Sequence, residues 1–277
     1  MSEPHLHCRA AGLDLLLPST GLCHLAAASD LRFVGEVVVW NDQEFATVVL
    51  RDRLGAAVGS LAGDAVALFD LEGERLAVVA DRFVGLQSPD GCPAWTVPHL
   101  WLLRGATFPY RRFVLVEERI AAEVAVMGLG LPRRGGEVRA SQVAVEALAP
   151  RGTYLLGWIG PRRVALHLPD VVELVSDVES VAFPGLPRRV RGFAVYRQRP
   201  IPVLHLGLDE APGALVVLRA RNEVFALALR AAEGLAELEP AGIGAASLLA
   251  ESVAPDGAEV ESSSPVPLPA ESIWALI

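Results

Sequence analysis

The side chains best suited to binding a metal lie near the start of the chain: His5, His7 and Cys8, followed by Cys23 and His24. Imidazole and thiolate are the preferred zinc ligands. Their spacing matches no zinc-site pattern, and on a strand His5 and His7 point to one side while Cys8 points to the other. No metal is expected. Serine, histidine and aspartate are scattered, with no Gly-x-Ser-x-Gly sequence to expose a nucleophile. The chain contains no lysine, which excludes a catalytic lysine and a phosphate loop that ends in one. An enzyme would have to assemble its acid and base from residues that occur singly, such as His167, Asp170, His205 and Asp209. The reading is therefore non-enzymatic, with no catalytic residue and no cofactor.

Concentrated chemistry appears elsewhere, between Phe183 and Leu206, in FPGLPRRVRGFAVYRQRPIPVLHL. Arg188, Arg189, Arg191, Arg197 and Arg199 gather there on a chain whose net charge is -9. A guanidinium can pair bidentately with a carboxylate or with carbonyls across an interface, so Arg197 at the tip of a hairpin is the leading candidate for protein binding. Tyr196 beside it suits an interface anchor, and Phe193 reads as facing the core. Val195, Arg191, Arg199 and Gly192 complete the candidate set. The plain alternative is a solvated turn.

The apolar residues around these arginines dictate the hairpin. Val190, Phe193, Val195, Ile201, Val203 and Leu204 suit strands, while the arginines and Pro200 between them suit a turn. Similar apolar runs recur along the chain between turn signals: Val34 to Trp40, Phe45 to Leu50, Ala65 to Leu71, Leu76 to Ala80, Phe113 to Val116, Tyr154 to Ile159, Val164 to Leu168, Leu215 to Leu218 and Val224 to Leu229. That rhythm predicts a mainly β protein of small barrels or sandwiches. Helices are expected only at Arg51 to Val58, Glu117 to Val126, and from Pro269 onward, where Pro269 suits a first turn and Glu271 the positive end of the dipole.

A length of 277 residues allows two domains of ordinary size. The Gly, Pro and Arg of Met127 to Gly136 mark a linker, giving domains at 1-126 and 150-277 with 127-149 between them. The halves can be laid over each other, with Leu16-Leu17-Pro18 on His167-Leu168-Pro169, Val34-Gly35 on Arg191-Gly192, and Val48-Val49-Leu50 on Val203-Leu204-His205. Ala67-Leu68-Phe69 then falls on Val216-Val217-Leu218, and Glu74 to Ala77 on Glu223 to Ala226. Three unpaired-looking cysteines fit a reducing compartment, no apolar stretch is long enough to span a bilayer, and the start is not a secretory signal. The expected location is cytoplasmic, at most beside a membrane array. An acidic chain disfavours nucleic acid. Glu251 to Pro269, rich in Ser, Pro and acid, reads as an exposed loop.

The order Pro-x-x-Pro at Pro184 to Pro187, Val-x-Gly at Val190 to Gly192, Arg197, and the return Ile201-Pro202-Val203 resembles the signature of the CheW-like adaptor domain of bacterial chemosensory systems. The likeness extends over about residues 150 to 240. It departs from the family at the tip, where Val195, Tyr196 and Gln198 replace its Asn, Leu and Gly, and at His205, which replaces an Asp. The first half keeps Val34-Gly35 and Leu54-Gly55 but lacks the Pro-x-x-Pro segment and a tip arginine. The resemblance implies tandem CheW-like domains, each of two small SH3-like β-barrels. It also implies a scaffold that binds a CheA-type histidine kinase, chemoreceptor signalling tips or other CheW-like modules. A β-barrel that binds a small molecule or peptide outside chemotaxis is the alternative.

Overall fold

The computed structural model describes residues 3–56, 61, 64–98, 109–129, 151–176, 179–207, 213–239 and 265–274. These residues are mainly β, with a few short helices. The first half runs through β1 (His5–Ala10), β2 (Leu13–Pro18), β3 (Leu22–Ala27), β4 (Arg32–Val34), β5 (Val37–Trp40), β6 (Gln43–Val49), α1 (Leu50–Arg53), β7 (Ala65–Leu71), β8 (Glu74–Ala80), β9 (Arg82–Gln87), β10 (Ala94–Thr96), β11 (Tyr110–Val116), β12 (Arg119–Val124) and α2 (Val126–Leu129). The second half runs through β13 (Gly152–Ile159), β14 (Arg162–His167), β15 (Val171–Val175), β16 (Ser180–Val181), β17 (Val190–Tyr196), β18 (Arg199–Leu204), β19 (Ala214–Ala220), β20 (Glu223–Leu229), β21 (Ala231–Leu238), β22 (Val266–Leu268) and α3 (Ala270–Trp274).

Two compact units result: Met1–Val138 with Ala182–Leu186 and Val195–Pro200, and Arg139–Val181 with Pro187–Ala194 and Ile201–Ile277. The first unit contains sheets of order β10-β11-β12-β2-β1-β9 and β3-β7-β8-β6-β5-β4. In the second of these sheets Val38, Phe45, Val66, Leu68, Ala77 and Val79 form one buried cluster. Burying each of its larger side chains contributes about 2 kcal/mol. The other sheets have the orders β21-β13-β14-β22 and β15-β19-β20-β18-β17-β16. Substituting strand for strand, the order β15-β19-β20-β18-β17-β16 repeats β3-β7-β8-β6-β5-β4, and β21-β13-β14-β22 repeats β9-β1-β2-β12.

Register repeats as well. His5 lies opposite Pro18 and Tyr154 opposite His167, a spacing of 154 - 5 = 149 positions. The β1–β9 ladder shifts register between His7 and Cys8, and the β13–β21 ladder shifts between Leu156 and Gly157, again 149 positions on. Gly85 and Gly234 occupy these bulges at φ of 155° and 153°, where an L side chain is strained. Thr47 pairs with Ala77 and Val203 with Ala226, so the spacing here is 203 - 47 = 156. One strand path turns from sheet to sheet at Asp81, whose N–H donates to the Arg9 carbonyl at 2.9 Å, and again at Arg230, whose N–H donates to the Trp158 carbonyl at 2.7 Å.

These registers correct three of the pairings read from sequence. Pro18 is equivalent to His167 and not to Pro169, while Val203-Leu204-His205 matches Thr47-Val48-Val49. Gly35, at φ 61°, sits in the turn between β4 and β5, whereas Gly192 lies inside β17, so the two are not equivalents. The apolar run Val34 to Trp40 is split by that same turn. Glu117 to Val126 is no helix either: Glu117 and Glu118 form a tight turn at φ 47° and 65°, and Arg119–Val124 is a strand. Its good helix formers yield to parallel pairing of Ala121, Ala122 and Glu123 with β2. The helix expected from Arg51 is the single turn of α1; residues 57–60 lie outside the described residues. So do 130–150, most of the expected linker, and 251–264, most of the expected acidic loop.

Candidate interaction site

β17 and β18 are joined by the two residues Arg197 and Gln198, at φ 47° and 61°. Positive φ at both central positions is the turn whose twist matches paired strands. It favours Asn, Asp and Gly, and an L residue there costs roughly 1 kcal/mol. Arg197 and Gln198 are exposed, as is Arg199. The Arg197 guanidinium carbon stands 5.1 Å from the centroid of the half-buried Tyr196 ring, a cation–π stack that limits how the guanidinium can point. Arg191 and Val195 are exposed on the face they share by strand alternation. Phe193, between them in that alternation, is fully buried opposite Val181, and Gly192 is buried as well. The tip therefore presents Arg197, Tyr196, Val195, Arg191 and Arg199, while Phe193 and Gly192 hold the strand from inside.

The Pro-x-x-Pro segment has a structural role at its first end. Phe183 is buried, its ring centroid 4.9 Å from that of Phe113 and 6.0 Å from that of Tyr110. The Tyr110 hydroxyl donates to the Pro184 carbonyl at 2.9 Å. Burial pushes the pKa of this phenol well above its ordinary value.

At 156 positions before Arg197-Gln198, the first half of the chain turns from β5 to β6 through Asn41 and Asp42, at φ 48° and 57°. The residue before each turn is aromatic. Trp40 stacks on His24 with centroids 4.8 Å apart and planes at 16°. Sequence reading found no arginine at this tip and missed its aromatic end, because His24 comes from β3, far along the chain.

A second constellation was also hidden in the sequence. Asp14 is only 3% exposed, and its carboxylate meets Arg9 Nε at 2.8 Å, His7 Nε2 at 2.9 Å and Arg119 Nε at 2.7 Å. Burial pulls its pKa upward, but the hydrogen bonds from Arg9, His7 and Arg119 outweigh it and hold the carboxyl below its ordinary range. His5 Nε2 lies 3.6 Å from the buried Glu123, which also receives Arg112. Strand alternation of His5, His7 and Arg9 was the available signal; their acidic partners come from other strands.

Cys8 is fully buried, with its thiol pKa pushed well up by burial and then by Asp14 and Asp81, while Cys23 is exposed. No three His, Cys, Asp or Glu side chains among the described residues are placed to hold a metal ion. His167 packs on the Tyr154 ring at 5.2 Å, Asp170 accepts from the Ala270 N–H at 3.3 Å, and the His205 N–H donates to the Arg189 carbonyl at 2.9 Å. Asp209 lies outside the described residues. No helix among the described residues is long and apolar enough to cross a membrane.

No family model matches the sequence, and no curated protein does. Among solved structures, the chain is similar to the crystal structure of the scaffolding protein TtCheW from Thermoanaerobacter tengcongensis. The likeness has a TM-score of 0.38 and 10% sequence identity, over 50% of this chain and 99% of that one.

Proposed function

We propose that this chain is a non-enzymatic, cytoplasmic adaptor of two CheW-like copies, 1-126 and 150-277 with a linker at 127-149, each built of two small barrels. It couples chemoreceptor signalling tips to a CheA-type histidine kinase. The observation that carries this reading is the Arg197 tip, where a guanidinium stacked on Tyr196 crowns the hairpin whose sequence resembles the family signature. Binding alone is the mechanism. Apolar area around Val195 and Tyr196 supplies affinity, and the oriented guanidinium fixes register through charge-assisted hydrogen bonds to an acidic helical surface. Co-sedimentation with receptor signalling fragments and with the kinase regulatory domain tests it. Arg197→Glu is expected to weaken binding about thirtyfold, the scale of an interface hot spot, with the circular dichroism spectrum unchanged. Failure of the unaltered protein to bind either fragment would sink the proposal.

A further inference from the structure

The two equivalent hairpin tips differ in where a cation can come from. At Tyr196 the next residue, Arg197, lays its own guanidinium over the ring, 5.1 Å from the centroid. At the equivalent Trp40 the next residue is Asn41, and the ring is stacked on His24 instead. Where the second tip has Arg197 and Arg199, this one has Asn41 and Gln43, with the exposed acids Asp42 and Glu44 beside them. Neither acid is in an ion pair among the described residues. The aromatic platform is thus kept, its own guanidinium is missing, and carboxylates have been added. Arg32, the exposed base on β4, leaves the acids in excess. His24 lies on β3, the terminal strand, and Trp40 on the fifth strand of the same sheet, so the sheet curls until the two rings meet. His24 is exposed and Leu25 beside it is 43% exposed. A terminal strand also has one edge open to a further strand.

We infer that the β5–β6 tip binds an arginine side chain carried by an extended peptide segment of another protein. The guanidinium lies against the exposed side of the His24–Trp40 stack, and its N–H groups donate to the carboxylates of Asp42 and Glu44. Arginine suits this place better than lysine, because its planar fork both stacks on a ring and pairs bidentately with a carboxylate. Apolar residues flanking that arginine rest on Leu25 along the open edge of β3. The inference stands on the equivalence of the two tips and needs neither receptor nor kinase. Its failure leaves the adaptor reading standing, and failure of that reading leaves this one standing.

Fluorescence anisotropy of a labelled, end-blocked peptide, Gly-Val-Arg-Val-Arg-Val-Gly, titrated with the full chain, is the test. Lysine in place of its arginines should weaken binding about tenfold, and citrulline, which keeps the shape and removes the charge, by more than about tenfold. Asp42→Asn with Glu44→Gln should cost about tenfold, and so should Trp40→Leu. Trp40 also packs against the buried cluster of its sheet, so the exposed acid pair decides the matter if Trp40→Leu does not fold. Glu117→Gln with Glu118→Gln removes the same charge at the exposed turn between β11 and β12 and should leave binding unchanged. Absence of binding, or equal binding of the citrulline peptide, would overturn the inference. An equal loss in the two double variants would overturn it as well, by showing attraction to the net charge of -9 and not to this tip.

Discussion

The sheet containing β1 and β2 and the sheet containing β13 and β14 have one register and opposite chemistry. In the first, His5, His7 and Asp14 are buried polar groups, with Arg9 and Arg119 closing over the carboxylate. At 149 positions on, Tyr154 and Leu156 replace the histidines and pack with Ala165 in an apolar cluster. Asp14 itself becomes Arg163, whose guanidinium turns to Glu233 on β21 at 2.7 Å. The Trp158 indole, at the place of Arg9, donates to the same Glu233. Hydrogen bonds from Arg163 and then Trp158 hold the Glu233 carboxyl below its ordinary pKa range. The ladders therefore owe their alignment to turns and bulges, and what fills the face between strands is free to change sign.

The largest expected effect separates these two faces. Asp14→Ala leaves Arg9, His7 and Arg119 around a missing carboxylate and should lower unfolding free energy by about 3 kcal/mol or more, as for other broken buried pairs. Arg163→Ala removes a half-exposed partner and should leave the urea midpoint nearly unmoved. Equal losses in the two variants would break the comparison. The bulges sharpen it from the other side. Gly85→Ala and Gly234→Ala each force an L residue to a φ near 155°, with open space around the new methyl group, and should each cost about 1 to 2 kcal/mol. Urea denaturation showing a loss in only one of them would mean that the two bulges are not equivalent.

Acid titration of stability gives the smallest separation. The Asp14 carboxyl is depressed in the folded chain, so its contribution is complete above the unfolded carboxylate range, near pH 4, and declines as pH falls toward the folded value. In Asp14→Asn that part of the acid loss should vanish. An unchanged acid limb, read by fluorescence-monitored unfolding at each pH, would show that Asp14 titrates alike in both states.

Much of the strand content was legible because buried strands announce themselves as apolar runs. Ala65–Leu71 is β7 as its sequence suggests, and Tyr154 to Ile159 falls within β13. Turns inside apolar runs were not legible: Gly35-Glu36 is a weak signal within Val34 to Trp40, and only the pairing of β4 with β5 shows the hairpin. Local propensity misread β12, whose Ala and Glu residues favour a helix until β2 and β11 lie beside them. At the candidate site, the Arg197 tip followed from a charged gap between apolar runs. The Asp14 cluster did not, because Arg119 joins it from 105 positions away.

The strand path that turns at Asp81 and at Arg230 ties the alignment of one sheet to that of another. β8 aligns with β6 and β7 while β9, one residue further, aligns with β1; β20 and β21 do the same in the second half. A slip of one residue in either ladder turns every side chain to the wrong face. Since the path is covalent through the corner, such a slip is carried into the neighbouring sheet and exposes its core too. Misalignment is thus penalised in both sheets at once, and each such pair of sheets is expected to fold and unfold as a cooperative whole.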